Sequence, residues 1–233
     1  MTTTEDGRAA ARACSRPAKR QRLDRERIVA AGLELAATPG VSTISVRELG
    51  VRLEADPTAI YRHFRSKEQL MQALLDDLVA RSVAEVTADP DDWRERLRQL
   101  AQTTLRLFTQ YPAIGVEATV LTTHGPGELA AVEFMLDAFS RSGLEGDDLV
   151  KHYALLATHV LSSAAGIARA RAERPDADAS AASPWIEGPL LVDPRTHPQI
   201  AAVSRRLSEL EDRDLFMLGV EAVIQSAERV ADA

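Results

Sequence analysis

The stretch TAIYRHFRSKEQL, residues Thr58–Leu70, gathers rings and positive charge in a chain that has little of either. It places Tyr61, His63 and Phe64 among Arg62, Arg65 and Lys67. The whole chain of 233 residues has a net charge of −7 and only 4% aromatic residues. A local concentration of cations and rings in an acidic chain indicates a surface that meets a polyanion. The fold of this stretch therefore determines what the protein can bind.

Three helix starts lie close together around this stretch. The segments SVRE (45–48) and SKEQ (66–69) have the spacing of capping boxes, with a serine at the N-cap. Asp56-Pro57 places an N-cap acid before a proline at the first helical position. Together these signals predict a helix over about 46–53, a short helix over about 57–64, and a long helix from 67 to about 88.

The short predicted helix has two different faces. Ile60 and Phe64 lie four residues apart, so they share the face that would pack on an earlier helix starting near Ile28. Thr58, Tyr61 and Arg62 share the opposite face and can contact base edges and phosphates. Two short helices joined by a tight turn form a helix-turn-helix, whose second helix enters the DNA major groove. The pattern predicts a DNA-binding domain over residues 23–66.

Apolar residues recur with helical spacing through the rest of the chain, so we expect an all-α fold. Residues 67–233 are predicted to form a helical body. Its later helices are expected from Trp93 to Tyr111 and at 128–142, 147–172, 198–211 and 213–230. Residues 173–196 hold four prolines and many small or acidic residues, which predicts a mobile loop.

Charge divides along the same boundary. Residues 1–67 carry 13 Lys and Arg against 8 Asp and Glu, a net of +5, whereas residues 68–233 carry 15 against 27, a net of −12. A basic head on an acidic body is expected where only one part meets a polyanion, although a basic tail with ordinary surface scatter gives the same totals. Residues 1–22 are predicted to be a basic disordered tail, with an arm in the DNA minor groove as the alternative.

Several other classes of protein are disfavoured. Cys14 is the one cysteine, so no intrachain disulfide can form, and no Cys/His spacing suggests zinc or another cofactor. The N-terminus has no apolar signal core, and polar residues interrupt the longest apolar run, Ala154–Ala170, so we expect a cytoplasmic protein without a membrane span. His159 with Ser162 or Ser163 lacks a nucleophile elbow, so we expect no enzyme.

Three motifs resemble the tetracycline-repressor (TetR) family of bacterial transcription regulators. They are Arg47-Glu48-Leu49, Tyr61-Arg62-His63-Phe64 and Ser66-Lys67-Glu68-Gln69-Leu70. The resemblance is strongest over about residues 24–75, and the segment YPAIGVEATVL is similar to the tetracycline-repressor-type C-terminal domain. It implies a homodimeric repressor that binds a palindromic operator and is released by a small apolar or aromatic inducer. The alternative is a constitutive DNA-binding regulator without a small-molecule ligand.

The resemblance also implies site residues. The DNA contacts carried over by the motifs are Arg47, Pro57, Thr58, Ala59, Tyr61, Arg62, His63 and Lys67. Candidates for the inducer pocket are Trp93, Phe108, His124, Phe134, Met135 and His152, with His124 as the polar anchor and ordinary core packing as the alternative for each.

Two further expectations concern architecture. The homodimer is expected to form through helices 147–172 and 213–230, with Leu156 on the dimer face, because these helices carry more apolar surface than a small body can cover. In the turn of the helix-turn-helix, Glu54 stands where the family commonly has glycine. A left-handed conformation there would cost about 1–2 kcal/mol relative to glycine.

Overall fold

The computed structural model describes residues 23–38, 40–41, 43–173, 185–186, 188 and 190–232. The predicted tail at 1–22 and most of the predicted loop, at 174–184, 187 and 189, lie outside them. The described residues form helices and connecting turns, which confirms the all-α prediction. The helices are α1 (Arg25–Ala36), α2 (Val46–Arg52), α3 (Pro57–Tyr61), α4 (Lys67–Ala84), α5 (Trp93–Gln110), α6 (Pro112–Gly115), α7 (Pro126–Arg141), α8 (Gly146–Ala172), α9 (Pro198–Glu209) and α10 (Asp212–Ala231), with a 3-10 turn at Val116–Thr119.

The predicted helix starts in the head are capped as the sequence indicated. Ser45 accepts a hydrogen bond from the Glu48 amide at 3.4 Å, and Ser66 accepts one from the Gln69 amide at 3.1 Å. Gln69 reaches back to the Arg65 amide at 2.7 Å, which completes a box-like cap. Local side chains therefore fix where the helices of the head begin.

Two helices end three or more residues earlier than predicted. The prediction that the short helix extends to 64 was wrong, because α3 ends at Tyr61 and the His63 and Phe64 amides both bond to the Ile60 carbonyl. The prediction that the long helix reaches 88 was also wrong. The side-chain oxygen of Gln99 on α5 accepts from the Thr87 and Ala88 amides at 2.9 and 3.0 Å, so these amides do not continue α4.

The head and the body share one core through α4. The two residues predicted to face inward from the short helix, Ile60 and Phe64, are each 1% exposed. Leu70 and Leu74 of α4 are buried in the same hydrophobic core. A helix that is buried in both parts can transmit a displacement from one to the other.

Helices α8 and α10 pack closely at His159. Its ring stacks on Phe216 at 5.6 Å between centroids, and its Nε2 lies 2.9 Å from the Phe216 carbonyl oxygen. A Cβ at Gly219 would overlap the imidazole ring, so this position needs glycine. His159, considered above for a hydrolase, therefore serves as a packing group. Among the described residues, no helix is both long and apolar enough to cross a membrane.

Candidate DNA interface and ligand cavity

The predicted DNA-contact residues all reach the surface of the head. Arg47, Thr58, Tyr61, Arg62, His63 and Lys67 are exposed, and Pro57 and Ala59 are half-buried. Tyr61 is 46% exposed, while Ile60 beside it is 1% exposed, so the two faces of α3 divide as the sequence predicted. The helix presents a polar surface to solvent and an apolar surface to the core.

The charges of the head differ in how they are used. Arg52 pairs with Glu34 at 3.2 Å, and the Arg25 guanidinium lies 4.4 Å above the Phe64 ring. In contrast, the side chains of Arg47 and Lys67 make no hydrogen bond or ion pair with the described part of the chain. The first pair of cations helps to hold the head together, whereas the second pair remains available to an anion.

Asp56 shapes the hydrogen-bonding capacity of Thr58. Its carboxylate accepts from the Thr58 hydroxyl at 2.6 Å and from the Thr58 amide at 2.8 Å. These two bonds, with a smaller contribution from the charge of Arg62, hold the pKa of Asp56 below its usual value. Because the hydroxyl hydrogen is already donated, Thr58 can offer only its oxygen lone pairs to a ligand.

The turn between α2 and α3 adopts the strained conformation considered above. Glu54 has a φ of 50°, in the left-handed region. The next amide, that of Ala55, bonds to the Gly50 carbonyl at 2.9 Å and closes the turn. Glu54 is exposed, so its carboxylate lies at the surface of the head.

A cavity of about 200 Å³ lies within the body, between α4, α5, α7 and α8. Its apolar wall includes Leu75, Leu100, Met135, Leu156, Val160 and Leu161. Its polar residues are Ser82, Thr104, Thr122, Thr123, Glu128 and Tyr153. A mostly apolar cavity with a few polar groups is typical of a small-molecule site. No group of three or more His, Cys, Asp or Glu side chains within the described ranges is placed to hold a metal ion.

Of the six residues predicted to bind the inducer, Met135 lies on the cavity wall and the other five lie elsewhere. Trp93 packs against Phe139, Phe108 is fully buried, and the Phe134 ring lies under the Arg96 guanidinium. His152 contacts the Asp148 carbonyl oxygen and Ser226, and His124 is exposed. These five make packing or surface contacts, so size and aromatic character did not identify the cavity wall.

Glu128 and Tyr153 are cavity residues that the sequence reasoning missed. Glu128 stands in the first turn of α7, where an acid ordinarily stabilises the helix terminus, so nothing in the local pattern marks it as a cavity residue. Tyr153 lies on the same face of α8 as Leu156 and therefore resembles an ordinary core residue. In the sequence, the one weak signal of a cavity residue was the hydroxyl of Tyr153 within the apolar stripe of α8.

The loop over the cavity is held by Glu128. One carboxylate oxygen, Oε2, accepts from the Thr123 amide at 2.8 Å and from the His124 amide at 2.6 Å. It also lies 2.8 Å from the Thr123 hydroxyl. His124 takes a left-handed φ of 50°, which places its amide beside this oxygen. Glu128 thus fixes the conformation of the segment that closes one side of the cavity.

The same loop is tied to α4. Asp76 accepts from the Gly127 and Glu128 amides at 3.0 and 2.9 Å, and so caps α7 from another helix. Gln72 donates to the Thr122 carbonyl at 3.1 Å. A Cβ at Gly127 would overlap the Asp76 carbonyl oxygen, so glycine permits this close approach. The cavity loop and the helix that enters the head are therefore directly bonded.

Comparison with known families matches two segments of the chain. Residues 28–74 match the family described as bacterial regulatory proteins, tetR family. Residues 87–229 match the domain described as tetracyclin repressor-like, C-terminal domain. The first match contains α2 and α3, and the second contains every helix that lines the cavity except α4.

Individual proteins give the same result. The chain is 28% identical to the HTH-type transcriptional repressor Rv1353c of Mycobacterium tuberculosis, over 93% of this chain and 86% of that protein. Its fold is similar to that of the transcriptional regulator SCO7222, a TetR from Streptomyces coelicolor, with a TM-score of 0.68 and 25% identity over 90% and 100% of the two chains. It also resembles the TetR family protein ActR of Streptomyces coelicolor in complex with actinorhodin, with a TM-score of 0.73 and 19% identity over 91% and 100%.

Proposed function

We propose, because the chain belongs to the tetR family of bacterial regulatory proteins, that it is a repressor released from DNA by a small molecule. Family membership makes it a transcriptional regulator rather than an enzyme. The proposal adds a palindromic operator, a homodimer and an inducer. The observation that carries it is that the loop beside the cavity is hydrogen-bonded to α4, the helix that enters the DNA-binding head.

In this proposal α3 enters the major groove of the operator. Arg62 is the residue best suited to base recognition, because a guanidinium can bond guanine O6 and N7 together. Thr58 would accept from a base amino group, since Asp56 already takes its hydrogen. Arg47 and Lys67 would contact phosphates near the starts of α2 and α4, where backbone amides also favour anions. Pro57, Ala59, Tyr61 and His63 complete the proposed contact surface.

The proposed homodimer uses the outer faces of α8 and α10. Leu155 of α8 is 52% exposed and Leu218 of α10 is 65% exposed, and Val150 adds to the same kind of surface. Leu156, which the sequence analysis put on the dimer face, is 1% exposed and lines the cavity. That assignment was wrong because α8 is apolar on two sides, and Leu156 belongs to the inner one. Two recognition helices about 34–36 Å apart would fit a palindromic operator.

Inducer binding would act through α4. A molecule in the cavity contacts the Leu121–Thr123 segment and Glu128, and these are bonded to Gln72 and Asp76 of α4. A shift of α4 would alter the position of the head and the spacing between the two heads. The ligand must favour the altered conformation, because it shifts an equilibrium only by its differential affinity for the two states.

A constitutive regulator without a ligand is the second candidate. It is favoured by the modest size of the cavity, about 200 Å³, since drug-sized ligands usually occupy pockets of about 300–1,000 Å³. The ActR structure contains actinorhodin, which supports the first candidate by family analogy alone. A compound that binds the body and weakens operator binding would decide for the first candidate.

The test of DNA binding first selects the operator, as the fragments of genomic DNA that the protein retains. On the selected operator, Arg62→Ala should weaken binding by about 1–3 kcal/mol and relax specificity at one base. Lys67→Ala should weaken binding to all sequences and lower the slope of log affinity against log salt by about one unit. Arg205→Ala on α9, an exposed cation away from α3, is the matched control and should bind like wild type. Wild-type binding by both head variants would refute the assignment of α3.

A further inference from the structure

The cavity is unusual in carrying charge of one sign. Among the described residues that line it, Glu128 is the only one with a formal charge at neutral pH, and none is Lys, Arg or His. A buried anion placed against this wall would meet a like charge without a compensating cation, in surroundings that are mostly apolar. The electrostatics therefore disfavour carboxylic acids as ligands.

The polar groups of the wall are mainly acceptors. The Thr104 hydroxyl donates to the Leu100 carbonyl at 2.8 Å, and the Ser82 hydroxyl donates to the Val79 carbonyl at 2.7 Å. Glu128 uses Oε2 for the loop amides, which leaves Oε1 without a partner in the described part of the chain. Each of these three residues can then receive a hydrogen bond from a ligand but cannot donate one.

Tyr153 and Thr122 are exceptions, since neither hydroxyl makes a hydrogen bond with any described residue. Thr122 is exposed, whereas Tyr153 is half-buried. Burial, and to a smaller extent the charge of Glu128, raise the pKa of Tyr153, so it remains a neutral phenol that can donate or accept. A ligand that donates to Glu128 could therefore also accept from Tyr153, as an alcohol or phenol can.

We propose that this cavity takes an apolar molecule, neutral or cationic, that carries a hydrogen-bond donor such as an alcohol, phenol or amine, and that Glu128 receives this donor. The inference deepens the proposed function and rests on the cavity being the inducer site. It also assigns two roles to Glu128, since the residue that recognises the ligand holds the Thr123–His124 amides and is itself held by Asp76. Recognition, by its side chain, and the connection to α4, by its backbone amide, then meet in one residue.

The test uses three probes of one shape and different charge: 1-naphthylmethylamine, 1-naphthylmethanol and 1-naphthoic acid. Binding is measured by calorimetry on the protein without DNA. The amine and the alcohol should bind, and the acid should bind at least about tenfold more weakly than the amine, since a hydrogen bond to a charged group contributes about 1.5–3 kcal/mol. Acid binding as tight as amine binding would overturn the proposal, and so would failure of all three probes to bind.

Two variants test whether Glu128 causes the difference between amine and acid binding. Glu128→Gln should weaken amine binding by about tenfold and reduce the difference between amine and acid, while its amide oxygen can still accept from the loop amides. Glu133→Gln, which removes an exposed acid of α7 outside the cavity, is the matched control and should leave all three affinities unchanged. An unchanged amine-to-acid ratio in Glu128→Gln would contradict the role of Glu128.

Tyr153→Phe guards against a purely structural effect. Because its hydroxyl has no partner among the described residues, the melting temperature should stay the same while alcohol binding weakens. Wild-type alcohol binding in this variant would contradict the proposed contact. Since these measurements need no DNA, their failure would leave operator recognition intact, and failure of operator recognition would leave the ligand preference measurable.

Discussion

Glu54 shows how one residue can carry strain in the turn that leads into α3. Its φ of 50° is rarely adopted by residues other than glycine, asparagine or aspartate. Glu54→Gly should raise the free energy of unfolding by up to about 1 kcal/mol, because relief of the strain exceeds the extra entropy of an unfolded glycine. Urea unfolding at fixed protein concentration measures the change.

Gly40→Ala provides the opposite control for Glu54. Gly40 has a φ of 82°, and a Cβ there would meet nothing within 4 Å, so the substitution adds conformational strain without a clash. It should lower the free energy of unfolding by about 1 kcal/mol. A Glu54→Gly variant that is less stable than wild type would mean that the glutamate side chain makes a compensating interaction.

The sequence predicted residues whose roles depend on near neighbours. Three caps bond to amides no more than three residues away, and these are Ser45, Asp56 and Ser66. The burial of Ile60 and Phe64 follows from helical spacing alone. Asp76 could not be predicted in this way, because its partner Gly127 lies 51 residues away in the chain. Apart from Met135, the cavity wall was missed for a similar reason, since bulky residues occur both in packed cores and around cavities.

At the scale of helices, the junction of α4 with α7 joins the loop beside the cavity to the helix that enters the head. Gly125, the N-cap of α7, has no side chain, and Asp76 supplies the missing carboxylate. Asp76→Ala should lower the free energy of unfolding by about 2 kcal/mol, because two amides at a helix N-terminus lose both their acceptor and a favourable charge. Differential scanning calorimetry would show the loss.

Asp77→Ala is the matched control for Asp76→Ala. Asp77 neighbours Asp76 on α4, but it pairs with Arg81 at 2.5 Å on the exposed side of the helix. An exposed pair of this kind contributes about 0.2–1 kcal/mol, so its removal should have a small effect. Equal destabilisation by the two substitutions would show that Asp76 has no special role at the junction.

The sequence marked where helices begin better than where they end. The starts of α2, α3 and α4 are set by local caps, whereas the end of α4 depends on Gln99, which belongs to the next helix. The two apolar sides of α8 posed a related difficulty, because spacing alone does not show which side faces a cavity and which faces a partner. Burial in the structure distinguishes the two sides, because Leu155 is exposed and Leu156 is buried.

For the whole molecule, the proposed mode of DNA recognition requires two chains to act together. Leu155→Asp should convert the dimer to a monomer, because it places a charge in an apolar interface where it has no partner. Leu129→Asp is the matched control, since Leu129 is a 65% exposed leucine of α7, outside the proposed interface. Light scattering at micromolar concentration should show a dimer for wild type and for Leu129→Asp, and a monomer for Leu155→Asp.

The most direct test of a two-headed regulator is the stoichiometry and affinity of the complex with the genome-selected operator, measured by fluorescence anisotropy with analytical ultracentrifugation. We predict two chains per duplex and a palindromic site with half-sites about 34–36 Å apart. Leu155→Asp should lose affinity although its α3 is unchanged. One chain per duplex, or wild-type affinity in Leu155→Asp, would contradict a two-headed regulator.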